Sequence, residues 1–386
     1  MKRLAIITTH PIQYNAPLFK LLHERGNIRI KVYYTWGKAV LENKYDPGFG
    51  KSINWDIPLL DGYDHVFEKN ISAAPGSHHF KGINNPELIM HIKEWNADAI
   101  LVYGWSFKSH LQCLRYFHKK IPVYFRGDST LLDESNRVKN FLRKVFLKWV
   151  YRHVDKAFYV GIQNKKYYLK HGLKENELVF AAHTVDNTRF FDKTDAYTKK
   201  ALVWRRQLNI ADNDLVFLFA GKLEPVKNID LLISGFLSIE QPGKHLIIVG
   251  NGILERSLTE KYVDIPGLHF IDFQNQTMMP IVYRIGDVFV LPSKSETWGL
   301  GVNEAMASSR PVLVSDKVGC AVDLVDEGMN GYSFIASQEA DLVKKMQLFC
   351  RNKQNLVLMG KSSLEKIMNR NFTTVAAAIE KEIINQ

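Results

Sequence analysis

The chain has 386 residues, of which 46% are hydrophobic and 24% are charged, an ordinary globular composition that is long enough for two α/β domains. Three scattered cysteines, Cys113, Cys320 and Cys350, exclude a disulfide framework and a cysteine metal knot and favour a reducing compartment. The sequence contains neither an apolar run of membrane-spanning length nor a signal peptide at its start, so we expect a cytoplasmic protein.

The net charge of +11 is unevenly distributed. Residues 1–200 contain 32 Lys and Arg against 19 Asp and Glu, whereas the remainder contains 19 against 21. Residues 137–170 contain ten basic residues and one acidic residue, and apolar residues recur there at helical spacing, which predicts a basic amphipathic helix. Such a helix either binds an anionic membrane surface or packs its apolar face on its own sheet. Nucleic acid is not an expected partner, because no aromatic platform or known binding motif accompanies the basic residues.

The first half of the chain predicts a parallel sheet, because short apolar runs alternate with helix-length segments such as 17–24 and 86–95. The predicted strands are 4–8, 28–34, 99–103, 123–125, 157–160 and 178–182. Polar loops follow three of them, at 9–15, 104–106 and 126–129, and should line one rim of the sheet. His10 in the first loop is either an acid/base group or a loop-stabilising histidine.

A second parallel sheet is predicted after a polar stretch at 183–213. Its predicted strands are 215–220, 245–249, 268–271, 288–291 and 312–315. The fold class is therefore α/β, with two Rossmann-like parallel-sheet domains facing across a cleft. We expect an N-terminal domain at 1–195, joined by a C-terminal helix at 370–386, and a C-terminal domain at 196–369.

Two loops of the second half suggest an anion site. Lys222 and Lys227 lie five residues apart behind Gly221, where they can converge on one diphosphate or remain solvated. After strand 288–291, Gly299 and Gly301 flank Leu300 at the start of a helix, so backbone amides can approach a phosphate. Glu296 and Glu304 bracket this loop, with Glu304 expected in the first helical turn. They either contact sugar and ribose hydroxyls or compensate the helix dipole.

The motif around these glutamates resembles that of a known family. The residues that carry the resemblance are Ser293, Glu296, Gly299, Glu304, Ala305, Met306, Pro311, Val312, Gly319, Asn330 and Gly331. In order and spacing they resemble the nucleotide-sugar glycosyltransferases of family 4 (glycosyl transferases group 1), the retaining group with the GT-B fold. The resemblance extends back to about residue 214 and is thinner before it.

The resemblance implies a division of roles among the residues. Lys222, which replaces a commoner arginine, and Lys227 would hold the leaving diphosphate, Glu296 would orient the donor sugar and Glu304 would hold the ribose. The implied donor site comprises Gly221, Lys222, Lys227, Asn251, Gln274, Glu296, Thr297, Trp298, Gly299, Leu300, Gly301 and Glu304. The donor is a nucleotide-diphosphate sugar, and the resemblance implies neither a metal nor another cofactor.

The first half departs from the family pattern. Pro11 and Gln13 stand where many members have a glycine pair, and Arg126-Gly127-Asp128 stands where many have a histidine that contacts the sugar. We therefore place Asp128 and His10 among the expected catalytic residues, with Arg126 as an alternative to Asp128.

The expected function is retaining, metal-independent transfer of a sugar to a saccharide or lipid-linked acceptor in cell-surface polysaccharide synthesis, such as lipopolysaccharide or capsule. The enzyme would be peripheral at the inner face of the membrane. Two alternatives remain open, a nucleotide-sugar epimerase of the same fold and a non-catalytic nucleotide-binding protein of a glycan assembly. A dehydrogenase is excluded, because the first strand leads into THPIQY and not into a G-x-G-x-x-G turn.

Overall fold

The computed structural model describes residues 1–38, 45–46, 49–52, 54–132, 137–351 and 353–385, and for 45–46, 51–52 and 137–140 it describes the backbone alone. The side chains of Arg137, Val138 and Lys139, which belong to the predicted basic helix, therefore lie outside the described residues. The chain divides into two compact units, the first comprising 1–44, 58–183 and 372–386 and the second comprising 45–57 and 184–371.

The strands and helices of the described chain follow in sequence order. Up to the end of the first sheet they are β1 (Arg3–Thr8), α1 (Ala16–Arg25), β2 (Arg29–Tyr34), β3 (Tyr45–Asp46), β4 (Lys51–Ser52), β5 (His65–Phe67), α2 (Leu88–Glu94), β6 (Ala99–Tyr103), α3 (Lys108–Phe117), β7 (Val123–Arg126), α4 (Arg137–Tyr151), β8 (Lys156–Tyr159), α5 (Ile162–Lys170) and β9 (Leu178–Phe180). They continue with α6 (Asn187–Phe190), α7 (Ala196–Gln207), β10 (Leu215–Ala220), α8 (Ile229–Leu237), β11 (Lys244–Val249), α9 (Glu255–Lys261), β12 (Leu268–Ile271), α10 (Met279–Ile285), β13 (Val288–Leu291), α11 (Leu300–Ala307), β14 (Val312–Ser315), α12 (Ala321–Leu324), β15 (Gly331–Phe334), α13 (Glu339–Cys350), α14 (Lys353–Met368) and α15 (Phe372–Ile384).

The first unit is built on a parallel sheet whose described strands run in the order β5-β2-β1-β6-β7-β8-β9. Central strands of such a sheet are covered on both faces, so their residues are apolar throughout. In β1, Leu4, Ala5, Ile6 and Ile7 all have no exposed surface. Leu4 and Ile6 belong to the core that includes α1 and α15, whereas Ala5 and Ile7 belong to the core that includes α2, α3 and α4.

The second unit has its own parallel sheet, with the described strands in the order β12-β11-β10-β13-β14-β15. These two parallel sheets confirm the predicted fold class. The antiparallel β3–β4 hairpin also belongs to this unit, although in sequence it lies between β2 and β5.

The division between the units falls after His183 and not at the expected residue 195. The reason lies in contacts made by α6. Asn187 Nδ2 donates to the carbonyls of Ile367 (2.9 Å) and Arg370 (3.1 Å), and Arg189 donates to Gln276 Oε1 (2.7 Å). These hydrogen bonds tie the polar stretch to the second unit.

The terminal helix α15 is held in the first unit by an ion pair. Arg25 Nε and Nη2 donate to the Glu380 carboxylate at 2.8–3.0 Å, and Asn27 donates to it at 3.0 Å. The Glu380 side chain is 5% exposed. None of the described helices, α15 included, is both long and apolar enough to cross a membrane.

We predict that Arg25→Ala lowers the free energy of unfolding by at least about 2 kcal/mol in urea titrations. Breaking a buried ion pair costs roughly 3–5 kcal/mol. We expect a loss at or below the lower end of this range because the Arg25 side chain is 30% exposed. Lys20→Ala is the matched control, since the Lys20–Glu24 pair is 3.8 Å long with both side chains at least half exposed; it should change stability by less than about 0.5 kcal/mol. Equal effects of the two substitutions would contradict this role of Arg25.

A buried histidine braces the loop after β6. His110 has no exposed surface, its Nδ1 donates to the Gly104 carbonyl (2.9 Å), and its Nε2 lies 2.8 Å from Thr35 Oγ1. Burial lowers the pKa of His110 to about 4, although the bonds to backbone carbonyls oppose the shift.

The lowered pKa predicts a pH-dependent stability. Below about pH 6.5 the unfolded chain binds a proton at this histidine that the folded protein does not bind, so the free energy of unfolding falls as the pH drops toward 4. Between pH 7 and 5 the loss due to His110 should be about 2 kcal/mol. His110→Asn should remove that part of the pH dependence in urea titrations, whereas the exposed His23→Asn should not. An unchanged pH profile in His110→Asn would refute the assignment.

Candidate active site

The sheet of the second unit brings several glycine-containing loops to one edge. All its strands are parallel, so the loops that follow β10, β11, β12 and β13 leave from the same side. The loops after β10 and β11 touch directly, because Gly221 N donates to the Val249 carbonyl and Leu223 N donates to the Asn251 carbonyl. A Cβ added at Gly250, whose φ is +136°, would lie 2.0 Å from the Gly221 carbonyl oxygen. Only glycine permits this approach.

The closest contact between predicted site residues is the ion pair of Lys227 with Glu296. The two side chains are 18% and 21% exposed. The backbone positions them, since Lys294 N donates to the Val226 carbonyl at 2.8 Å and so joins the loop after β13 to the turn that carries Lys227. The Glu296 carboxylate and the Lys227 ammonium therefore lie next to each other in a partly desolvated environment, where electrostatic interactions are stronger than in water.

The loop after Glu296 enters α11 through Gly299, which has φ +96° and occupies the N-cap position. A Cβ there would lie 2.8 Å from Val318 and 3.0 Å from Leu291, so a side chain at this position would be both strained and crowded. Gly301 packs against Phe289, Leu300 is half-buried and Thr297 is exposed. The helix N-terminus directs its N–H groups and its positive dipole end toward this loop.

Glu304 lies deeper than the sequence suggested. The helix begins at Leu300, so Glu304 is its fifth residue and not part of its first turn. The residue is 3% exposed, and the Tyr283 hydroxyl donates to its Oε2 at 2.7 Å. Trp298 is also 3% exposed, and its Nε1 donates to Asn303 Oδ1 at 2.9 Å. Tyr283 and Asn303 were not predicted from the sequence, although each lies on a helix beside the motif.

The remaining predicted donor residues surround the loop after β12. Asn251 is 6% exposed and braces this loop, because its Oδ1 accepts from Phe273 N (2.8 Å) and its Nδ2 donates to Asp272 (3.2 Å). Gln274 Nε2 donates to the Asp272 carbonyl at 3.1 Å. Lys222 extends from the loop after β10, with its Nζ 5.0 Å from the centroid of the Phe49 ring.

His10 and Asp128 lie in the first unit. His10 follows β1, with its Nδ1 2.9 Å from Thr9 Oγ1 and its ring edge-on to Trp36. Asp128 follows β7 and is partly buried.

Sequence reasoning missed His183, which lies near Asp128. Burial lowers the pKa of His183 to about 4, while Asp128 raises it and Arg126 lowers it. Arg126 itself donates to the carbonyls of Ala181 (2.8 Å) and Ala182 (3.0 Å), just before His183. The signal was available in the sequence, since His183 directly follows the predicted strand 178–182, as the polar loops at 9–15, 104–106 and 126–129 follow theirs.

In the part of the chain that the structure describes, no group of three or more His, Cys, Asp or Glu side chains could hold a metal ion. Lys222 and Lys227 are cationic groups in the loop after β10, and the N-terminus of α11 is the positive end of its helix dipole.

Sequence comparisons relate the second half of the chain to known proteins. Residues 201–366 match the family model described as glycosyl transferases group 1. Alpha-monoglucosyldiacylglycerol synthase of Acholeplasma laidlawii is 27% identical over 188 residues, which are 46% of this chain and 45% of that protein. The chain spans only about a third to a half of the length of the first curated relatives that it matches.

Solved structures resemble the whole chain. Sucrose-phosphate synthase of Thermosynechococcus elongatus has a TM-score of 0.74 at 17% identity, covering 100% of this chain and 99% of that one. Anabaena HepE in complex with UDP and glucose has a TM-score of 0.72 at 15% identity, covering both chains completely. Such low identities establish the fold alone. Residues 201–366 are thus similar to the glycosyl transferases group 1 family, and the two parallel-sheet units of the chain have the GT-B fold.

Proposed function

We propose that the protein is a retaining glycosyltransferase that moves a sugar from a nucleotide-diphosphate sugar to a saccharide or lipid-linked acceptor. The observation that carries the proposal is the contact between Lys227 and Glu296, beside the glycine turns that follow β10, β11 and β13. A site built for an anion alone has no use for a carboxylate, whereas a nucleotide sugar presents a diphosphate to a cation and hydroxyl groups to a carboxylate.

The leaving diphosphate is stabilised by charge. As the bond between sugar C1 and the phosphate oxygen breaks, negative charge grows on the diphosphate, and Lys222, Lys227 and the amides at the start of α11 are the groups that stabilise it. Because lysine ammonium groups are compact point charges, they can follow the departing phosphate without bidentate geometry. The proposed reaction therefore needs no divalent metal and no further cofactor.

The sugar is oriented by Glu296. Its carboxylate accepts hydrogen bonds from the sugar hydroxyls, while Lys227 turns toward the diphosphate. The acceptor oxygen forms its bond to C1 on the face from which the phosphate leaves, and the departing phosphate oxygen takes the acceptor proton, so the anomeric configuration is retained. We assign Glu304, which accepts from the Tyr283 hydroxyl at 2.7 Å, to the ribose hydroxyls. His10 and Asp128 belong to the acceptor side of the reaction.

Related proteins support the choice of substrates. The Anabaena neighbour was solved with UDP and glucose, and the names of two relatives specify a diacylglycerol glycolipid and a lipopolysaccharide. We therefore assign the reaction to cell-surface polysaccharide or glycolipid synthesis.

The helix α4 suggests how a lipid-linked acceptor is reached. Its Leu147 and Val150 are fully buried in the core of the first unit, but a second apolar face points outward. This outward face comprises Phe141, Leu142, Val145 and Phe146, which are 66%, 65%, 55% and 42% exposed. Arg143, Lys144 and Lys148 lie between and beside them. An apolar face with basic neighbours is the arrangement that binds an anionic bilayer surface, so we propose peripheral membrane association through α4.

The catalytic proposal predicts that Lys227→Met and Glu296→Gln each reduce transfer about 100- to 1000-fold, as the loss of a transition-state charge partner does elsewhere. The assay follows nucleoside diphosphate release and products from a panel of UDP-, ADP- and GDP-sugars, with EDTA, using saccharides and lipid extracts as acceptors. Lys261→Met is the control, because the Lys261–Asp230 pair lies in the same unit with side chains 59% and 53% exposed. Retained activity in either site variant would overturn the assignment, and an isomerised donor without acceptor would indicate an epimerase.

The membrane proposal predicts that the protein floats with vesicles of phosphatidylcholine and phosphatidylglycerol, but not with phosphatidylcholine alone. Replacing both Phe141 and Leu142 by Ser should weaken vesicle binding by at least tenfold, an order-of-magnitude estimate from the apolar area withdrawn from the bilayer. Val203→Ser, a change at an apolar residue of α7 that is 53% exposed, should leave binding unchanged. Flotation that persists in the double variant, or never occurs, would rule out α4 as the docking surface.

A further inference from the structure

Residues 49–52 and 54–57, here called the arm, belong to the second unit although in sequence they lie between β2 and β5. The arm is fixed at its C-terminal end by hydrogen bonds to the loop after β12. Thr277 N donates to both oxygens of the Asp56 carboxylate at 3.2 Å, and the Thr277 hydroxyl also contacts this carboxylate. Asn275 Nδ2 donates to the Asn54 carbonyl at 2.7 Å. Asn54, Asp56 and Thr277 are exposed, so hydrogen bonds between polar groups hold the arm at this end.

The arm brings two aromatic rings to Phe273. The Phe49 ring centroid is 4.9 Å from that of Phe273 in an edge-to-face arrangement, and the Trp55 centroid is 6.4 Å from it. The three rings are half-buried, so part of their apolar surface is accessible. Asn251 fixes Phe273 by accepting from its backbone N–H at 2.8 Å. The cluster therefore sits on the loops that follow β11 and β12.

The position of Lys222 connects this cluster to the phosphate site. Its Nζ lies 5.0 Å from the Phe49 centroid, within the range of a cation–π contact. A diphosphate bound by Lys222 is therefore next to the Phe49 ring. The nucleoside is attached directly to that diphosphate, and a nucleobase has an apolar π-face that stacks on aromatic rings whatever its hydrogen-bonding edge.

We propose that the arm is part of the donor site and that Phe49, together with Phe273, forms the aromatic surface against which the nucleoside packs. This inference rests on the proposed function, because it takes Lys222 as a diphosphate ligand. It assigns a role to residues that lie outside the motif around Glu296 and Glu304. Aromatic packing of this kind favours a nucleoside diphosphate over a bare diphosphate, so the arm distinguishes the donor from pyrophosphate and from simple sugar phosphates.

The test is calorimetric titration of the full chain with UDP, ADP, GDP and inorganic pyrophosphate. For the nucleotide that the wild type binds best, Phe49→Ala should raise the dissociation constant roughly 5- to 100-fold, the range found when a base loses an aromatic stacking partner. Pyrophosphate, which lacks a base, should bind the variant as it binds the wild type. Phe80→Ala, at a phenylalanine of the first unit that is 43% exposed, is the matched control and should bind nucleotide normally.

A second variant keeps the rings and loosens the arm. Asp56→Ala removes the carboxylate that accepts from Thr277, leaves no acceptor in its place, and should also weaken nucleotide binding without affecting pyrophosphate. Unchanged or tighter nucleotide binding in both variants would overturn the proposal, and tighter binding would identify the arm as an obstruction that the nucleotide displaces. If both variants bind nucleotide normally while Lys227→Met does not, the proposed role of the arm is wrong and the proposed function stands. If the wild type binds neither nucleotide nor pyrophosphate, both the role of the arm and the proposed function are contradicted.

Discussion

The backbone pairing of Glu296 with the loop after β14 is the constraint on which the donor site depends. Glu296 N donates to the Lys317 carbonyl (3.1 Å), and its own carbonyl accepts from Gly319 N (2.9 Å). A Cβ at Gly319 would lie 1.9 Å from the Thr297 carbonyl oxygen, so this pairing exists only with glycine at that position. Backbone hydrogen bonds thus fix the positions of the loops that carry Lys227 and Glu296. The contact between the two side chains therefore does not depend on their flexibility alone.

Much of the fold could be predicted because strands buried on both faces appear in the sequence as unbroken apolar runs. The predicted bounds 215–220, 288–291 and 312–315 are those of the buried strands β10, β13 and β14. The apolar residues of β12, a partly buried edge strand, also predicted its bounds, 268–271. Among the strands of the two parallel sheets, β5 and β15 were not predicted; both lie at sheet edges and are short and only partly buried. The two-residue strands β3 and β4 were not predicted either. None of these four strands has a long apolar run or a clear alternation, so the sequence pattern does not reveal them.

The sequence motif singled out residues of the second unit, but it did not indicate how deeply each of them lies. Lys227 and Glu296 are in contact, whereas Trp298 and Glu304 are almost completely buried and hold the loop and helix together through Asn303 and Tyr283. Side-chain direction in a loop is decided by tertiary packing, which periodicity does not report. Periodicity does not report the contacts of the arm either, because Asp56 and Thr277 are 221 residues apart in sequence. His183 illustrates a milder limit, since its position after a strand was visible but its nearness to Asp128 was not.

The central claim is that Lys222, Lys227 and the Gly299 loop hold the diphosphate of a nucleotide sugar without a metal. A crystal structure of the protein grown with EDTA and soaked in turn with UDP, ADP and GDP tests it most directly. We expect one nucleotide to bind with its diphosphate in hydrogen-bonding distance of both lysines and of the amides at the start of α11, with Lys227 turned away from Glu296. A nucleotide bound elsewhere, or no binding by any of the three while Lys227 stays on Glu296, would contradict the account.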